Sequence, residues 1–268
     1  MKTIGLIGSG NIGSALALGM LNKKVALAED IIVYDADAKK LESFAAGTGV
    51  RTAGDNIDLA NRAQIIILAV KPDTAPGVLR QIASCLSEDK LLISVVLGLS
   101  IGRMSELTGG RARYIRCMPN VPALVNEGMT CVSMGDGTTD EDRGIAAALF
   151  GSIGLAEFLD EKDLEKVTAL TGSSPAYIFV LIEAMADAAV LSGLPRALAY
   201  RLAAQAVLGS AKMVLETGKH PGELKDMVCS PAGSTIEAIS VLEQQGFRGA
   251  VIEAMRACDA RAREIASK

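Results

Sequence analysis

Hydrophobic and polar positions follow two different rhythms along this chain, changing over near residue 160. Before that point, short apolar runs alternate with helical stretches. Residues 2–7, 30–35, 63–70, 91–96, 114–117 and 129–134 read as strands, while 14–21, 38–46, 57–61, 74–85, 101–107 and 140–152 read as helices. The run around Ile65-Ile66-Ile67-Leu68 is almost continuously apolar, as expected of a strand covered on both faces. From Lys162 onward the alternation stops. Helices are predicted over 164–191 (interrupted by Gly172-Ser173-Ser174-Pro175), 196–216, 221–228, 234–245 and 249–267, punctuated by Gly193, Gly218 and the turn at 230–233, with Pro195 expected as a first helical residue. The last of these sets Val251, Ile252, Met255 and Ile265 against Arg256, Arg261, Arg263 and Glu264. An all-helical domain with so many small residues and such apolar helices predicts close helix packing against a second chain, with a self-contained core as the alternative.

The first strand and helix are joined by Gly8-Ser9-Gly10-Asn11-Ile12-Gly13. Strand, glycine turn and helix in that order is the context in which G-x-G-x-x-G signals dinucleotide binding. Gly8 permits the tight turn, Gly10 lets backbone approach a pyrophosphate, and Gly13 lets the helix sit close to the strand. The expected fold is therefore α/β: a Rossmann-type doubly wound parallel sheet over 1–160, then an all-helical domain over 161–268 for substrate binding and dimerisation. Asp35, at the end of the second strand, stands where such folds meet the adenosine ribose, although it lies 35 − 8 = 27 residues past Gly8 against a usual spacing of about 20. An acid there accepts from a 2′-hydroxyl and disfavours a 2′-phosphate; Lys39 and Lys40 could instead meet a phosphate, and Asp35 with Asp37 could simply cap the following helix. Further expected cofactor contacts are the strand-end residues Ala69, Val70, Lys71 and Pro72, for which a plain strand-to-loop stop at the proline is the alternative, together with Asn56, Val95 and Asn120 in its Pro-bracketed loop.

Composition narrows the field. The 268 residues are 50% hydrophobic but only 3% aromatic, with no Trp and a net charge of −4, so there is no basic footprint for nucleic acid. Met1-Lys2 leads straight into the first strand, so no leader is expected. The apolar run 176–191 is broken by Glu183 and Asp187 and reads as too short and too charged for a membrane. Five scattered cysteines (Cys85, Cys117, Cys131, Cys229 and Cys258) form no C-x-x-C pair, which points to a reduced, cytoplasmic setting without metal. His220 is the only histidine and is expected to start the helix at Pro221, so triad or histidine–metal chemistry has little to draw on.

A substrate must be presented to the nicotinamide, and the turn Ser230-Pro231-Ala232-Gly233-Ser234-Thr235 is the strongest candidate, since outward amides and a new helix start can hold a carboxylate. A plain helix cap explains the spacing equally well. Resemblance decides between them. The stretch from Pro221 through Cys229-Ser230-Pro231-Ala232-Gly233-Ser234-Thr235 to Ile239 resembles the signature of the pyrroline-5-carboxylate reductase family. The 8–13 turn, Ala69-Val70-Lys71-Pro72, Arg116-Cys117-Met118-Pro119-Asn120, Glu127-Gly128, Leu170 to Tyr177 and Gly193-Leu194-Pro195 all resemble landmarks of that family in the same order.

The resemblance implies the last step of proline biosynthesis, hydride transfer from NADPH or NADH to the C=N carbon of 1-pyrroline-5-carboxylate. It implies that Thr235 hydrogen-bonds the ring nitrogen and that Ser230, Ala232, Gly233 and Ser234 hold the carboxylate. It also implies interlocked helical domains in which this turn faces a partner subunit's cofactor. Three departures stand out: Ala232 replaces a commoner glycine, the stretch from Ser94 through Val95 to Gly98 is bulkier than usual, and Asp35 replaces the serine- or asparagine-rich end often found there. The competing readings are a 3-hydroxyacid-type dehydrogenase, whose catalytic lysine finds no counterpart between Lys166 and Lys212, and a non-catalytic nucleotide-sensing oligomer.

Overall fold

The computed structural model describes residues 2–266, with the side chains of Ile265 and Ala266 left aside; Ser267 and the apolar role expected of Ile265 lie outside the described residues. Contacts divide the chain into two compact units, Met1–Gly172 with Ala262–Lys268, and Ser173–Arg261.

The first unit is built on one sheet. In chain order it runs β1 (Ile4–Ile7), α1 (Asn11–Asn22), β2 (Ile31–Tyr34), α2 (Ala38–Thr48), β3 (Arg51–Thr52), α3 (Asn56–Arg62), β4 (Ile65–Leu68), α4 (Ala75–Ile82), β5 (Leu91–Ser94), α5 (Ile101–Thr108), β6 (Arg113–Met118), β7 (Gly128–Met134), α6 (Asp140–Gly151), β8 (Gly154–Phe158) and α7 (Glu161–Leu164). The strand order is β3-β2-β1-β4-β5-β6-β7-β8. β1, β4 and β5 are buried at every residue because helices cover both faces, which is why their sequences are apolar without alternation. Successive residues enter opposite cores. Leu6, Ile65 and Ile67 pack with Leu16, Met20 and Phe150, whereas Ile7, Ile66 and Leu68 pack with Leu59, Leu79 and Ile82.

The sheet departs from the expected all-parallel plan at one pair: β7 runs antiparallel to β6. The short loop at Val121–Val125, ended by Asn126 at φ 60°, turns the chain straight back, leaving no room for a crossover helix. Two strands escaped the sequence reading. β3 is two exposed residues, and β8 is an edge strand of half-exposed residues paired parallel to β7.

The second unit is helical: α8 (Ser174–Leu191), α9 (Arg196–Thr217), α10 (Pro221–Val228), α11 (Ser234–Gln244) and α12 (Phe247–Ala266), the last extending beyond the unit's end. The helix expected over 164–191 is instead α7, a π-turn at Thr168–Gly172, and α8 with Pro175 in its first turn. Pro195 caps α9 from outside, its extended ψ of 137° excluding it from the first helical position expected for it, and Gly218 closes the helix at φ +64°. By length and composition Thr168–Leu191 is long and apolar enough to cross a membrane, so the shorter run read from the sequence understated it. Glu183 and Asp187 lie within it.

Candidate functional site

Ile7 pairs with Tyr34 on one side and Leu68 on the other, so β1, β2 and β4 end level. Here the strand order reverses direction, and the residues leaving the three strands share one rim. Backbone bonds continue the register: the Gly8 N–H donates to Tyr34 O (2.8 Å), Ala69 N–H to Ile7 O (2.9 Å) and Val95 N–H to Leu68 O (3.0 Å).

The glycines at this rim have separable jobs. Gly8 sits at φ +99°, and a Cβ there would lie 2.5 Å from the Ala69 carbonyl oxygen. A Cβ on Gly13 would lie 2.1 Å from Gly8 O, so α1 approaches the turn as closely as only glycine allows. A Cβ on Gly10 would meet nothing within 4 Å. The space beside Gly10 belongs to no part of this chain, and no side chain caps α1, whose first N–H groups are left for an anion. Asn11, Ile12 and Gly13 form that first turn, while Ser9 is buried and its carbonyl accepts from the Ser14 hydroxyl (2.9 Å).

Asp35 does not cap α2. Asp37 does, accepting from the Lys40 N–H. Asp35 instead joins the first two βα turns: Oδ2 accepts from Ser9 N–H (2.7 Å) and Ser9 Oγ (2.9 Å), and Oδ1 from Asp37 N–H (3.0 Å). Burial pushes its pKa up, but these hydrogen bonds and Lys40, with Nζ at 3.9 Å, outweigh it and hold the carboxyl below its ordinary range.

A cavity of about 750 Å³ opens along the rim, lined by Gly8, Gly10, Asp35, Lys40, Asn56, Ala69, Val70 and Lys71 among others. Asn56 is held by its amide, which donates to Gln81 Oε1 (2.9 Å), while its own Oδ1 is buried without a partner. Thr74 and Gln81 also line the cavity; both sit on the turn and helix after β4, and nothing in their sequence context marked them. Pro72 and Val95 are not among the lining residues, and Val95 packs partly against the core. Asn120 is committed elsewhere, donating to Thr171 O (2.9 Å) and accepting from Met129 N–H (2.9 Å), so it braces the loop between β6 and β7.

In the helical unit, the turn before α11 holds Ala232 at φ +55°, the left-handed region its sequence position only hinted at. Gly233 N–H closes the turn onto Ser230 O (3.0 Å), and a Cβ on Gly233 would lie 2.4 Å from Ser230 Oγ. Gly233 is the N-cap and no side chain caps α11, so Ser234 and Thr235 are not spent as helix caps. His220, by contrast, is a cap: its Nδ1 accepts from Gly222 N–H (3.0 Å).

Comparison with known proteins supplies what geometry alone does not. The model for pyrroline-5-carboxylate reductase dimerisation matches residues 161–265, and that for NADP oxidoreductase, coenzyme F420-dependent, matches 3–98. The pyrroline-5-carboxylate reductase of Escherichia coli K12 is 49% identical over 257 residues, 96% of each chain. The chain belongs to the pyrroline-5-carboxylate reductase family.

Solved structures agree. A pyrroline-5-carboxylate reductase from Coxiella burnetii superposes with a TM-score of 0.93 at 34% identity, covering 98% of both chains. A Plasmodium falciparum pyrroline carboxylate reductase with NADP bound gives 0.87 at 34% identity, covering 99% and 98%. The rim of this chain fits a dinucleotide of the kind the family uses: glycine leaves open space at Gly10, α1 begins uncapped, and the Asn56 oxygen lacks a partner.

Proposed function

We infer that this chain reduces 1-pyrroline-5-carboxylate to L-proline with NAD(P)H, the last step of proline biosynthesis. The observation that carries the reading is the glycine turn, in which Gly8 and Gly13 are closed in by backbone and Gly10 alone of the three faces open space, in a chain 49% identical to the Escherichia coli reductase over nearly its whole length. We assign residues 1–160 to dinucleotide binding and 161–268 to substrate binding and dimerisation.

Gly10, Asn11, Ile12 and Gly13 offer backbone N–H groups to the diphosphate at the start of α1, while Gly8 and Ser9, whose own N–H groups are bonded to Tyr34 and Asp35, shape the turn that presents them. Asp35, Asn56, Ala69, Val70 and Lys71 line the rest of the cofactor cavity. When bound, NAD(P)H supplies the hydride for the C=N carbon. The amides opening α11 and the hydroxyls of Ser230 and Ser234 hold the substrate carboxylate, and Thr235 Oγ1 holds the ring nitrogen. A protonated cyclic imine is already electrophilic, so positioning and fixed dipoles supply the catalysis without a strong acid or a metal ligand. His220 is committed to its helix cap.

The helical unit acts as a homodimer or larger homo-oligomer. Leu191, Val180 and Leu215 are 90%, 65% and 69% exposed in the single chain, surface that a second copy covers. The setting proposed is the cytoplasm, with Thr168–Leu191 packed in the oligomer rather than in lipid, and with no nucleic-acid partner. The test is NADH or NADPH oxidation by purified protein given 1-pyrroline-5-carboxylate, with L-proline measured as product. Stoichiometric proline is expected; folded protein that oxidises neither cofactor contradicts the reading.

A further inference from the structure

We propose that Asp35 makes this chain select a dinucleotide with a free 2′-hydroxyl, NADH, over one with a 2′-phosphate. The inference rests on the dinucleotide half of the reading above, and it stands apart from what receives the hydride.

Asp35 leaves β2 at the rim that carries Gly8 and Ala69, and it lines the same cavity. Its side chain is only 16% exposed. An ionised carboxylate offers about four lone-pair sites. Ser9 N–H, Ser9 Oγ and Asp37 N–H occupy three of them, leaving one for a hydroxyl donor. A ribose 2′-hydroxyl can donate that bond; a phosphate ester cannot, and would set its charge against a carboxylate fixed in place by three donors. Those donors matter because an acid on a free loop could swing away or protonate, whereas this one is braced on two sides.

Two cations line the cavity, Lys40 and Lys71, and Lys71 follows β4, on the opposite side of β1 from the strand that leads into Asp35. Lys40 Nζ is 3.9 Å from Asp35 Oδ2 and is already its counter-ion. Asp55, the other acid lining the cavity, caps α3 by accepting from Asp58 N–H (2.7 Å) and adds negative charge. Lys40 is thus the group that removal of Asp35 would release toward a phosphate.

The experiment is calorimetric titration of the full-length protein with NADH and with NADPH, no imine present. NADH is expected to bind at least about tenfold more tightly, and the ratio to shrink as salt is raised, because charge repulsion is screened. In Asp35→Ser, NADPH affinity should rise about tenfold and NADH affinity fall severalfold. Asp35→Asn, which keeps an acceptor for Ser9 N–H, should move the ratio the same way and guards against collapse of the turn. NADPH binding as tightly as NADH in the unaltered protein overturns the proposal. So does equal weakening of both cofactors in the two variants, which would make Asp35 a brace alone. Failure to reduce the imine would appear only in the turnover assay and would leave this result standing.

Discussion

The two units treat apolar residues in opposite ways. In the sheet unit Leu6, Leu16, Ile66 and Phe150 are completely buried. Among the described residues of the helical unit only Ala186, Ala199 and Ala203 are buried apolar side chains, while Phe179, Val180, Leu191 and Leu215 are mostly exposed. One unit closes a core within a single chain. The other leaves its large apolar side chains exposed in the single chain, and its small buried alanines mark where α8 and α9 approach each other. That contrast also divides the chemistry, since a self-contained unit can present a rigid dinucleotide rim without a partner.

Substitutions should therefore act differently in the two units. The largest effect is expected from Val180→Asp combined with Leu191→Asp, which puts charges on the exposed apolar surface proposed to receive a second copy. Sedimentation should show dissociation to monomers, at a cost of several kcal/mol to association, whereas the far-ultraviolet signal of the sheet unit persists. In the glycine turn, Gly13→Ala forces a Cβ to 2.1 Å from Gly8 O and should lower folding stability by about 1–3 kcal/mol in thermal or denaturant melts. Gly10→Ala meets no protein atom within 4 Å. Its stability should be unchanged while dinucleotide affinity falls about tenfold or more, read by titration.

Acid should also distinguish the units. Burial pushes Asp142 up, but Arg113, with Nε at 2.7 Å, and Thr139 more than offset it, so its folded pKa lies below the ordinary 3.8. Asp35 is lowered likewise. Groups lowered on folding stabilise above their unfolded pKa and lose that contribution as pH falls through the folded value. The carboxylates lowered on folding, among the described residues, all lie in the sheet unit, so near-ultraviolet or exchange signals there should fail first as pH drops below 3.8. The smallest effect belongs to Ala232→Gly, which relieves a left-handed backbone at φ +55° and should raise stability by up to about 1 kcal/mol.

Much of this was legible in the residues because the signals were local. A buried parallel strand must be apolar throughout, so β1, β4 and β5 announced themselves, and Gly8, Gly10 and Gly13 marked the rim. What stayed hidden depended on non-local partners. β8 alternates Leu155 and Glu157 outward, which reads as loop until β7 is beside it. The antiparallel turn of β7 follows from the nine-residue connection at 119–127, whose direction no periodicity encodes. Asp35 could have capped α2 by spacing; only the fold brings Ser9, 26 residues earlier, within 2.7 Å. Asn120 looked like a rim residue, but its amide is taken by Thr171 and Met129.

The division of labour between the units is tested most directly by Thr235→Ala. Turnover of 1-pyrroline-5-carboxylate and cofactor affinity would be measured on the same preparation. We predict that kcat falls about tenfold to a hundredfold, as for loss of one hydrogen bond to the reacting group, while the NADH and NADPH dissociation constants stay within about twofold. Parallel loss of turnover and cofactor affinity, or unchanged turnover, would contradict the assignment of imine binding to the start of α11.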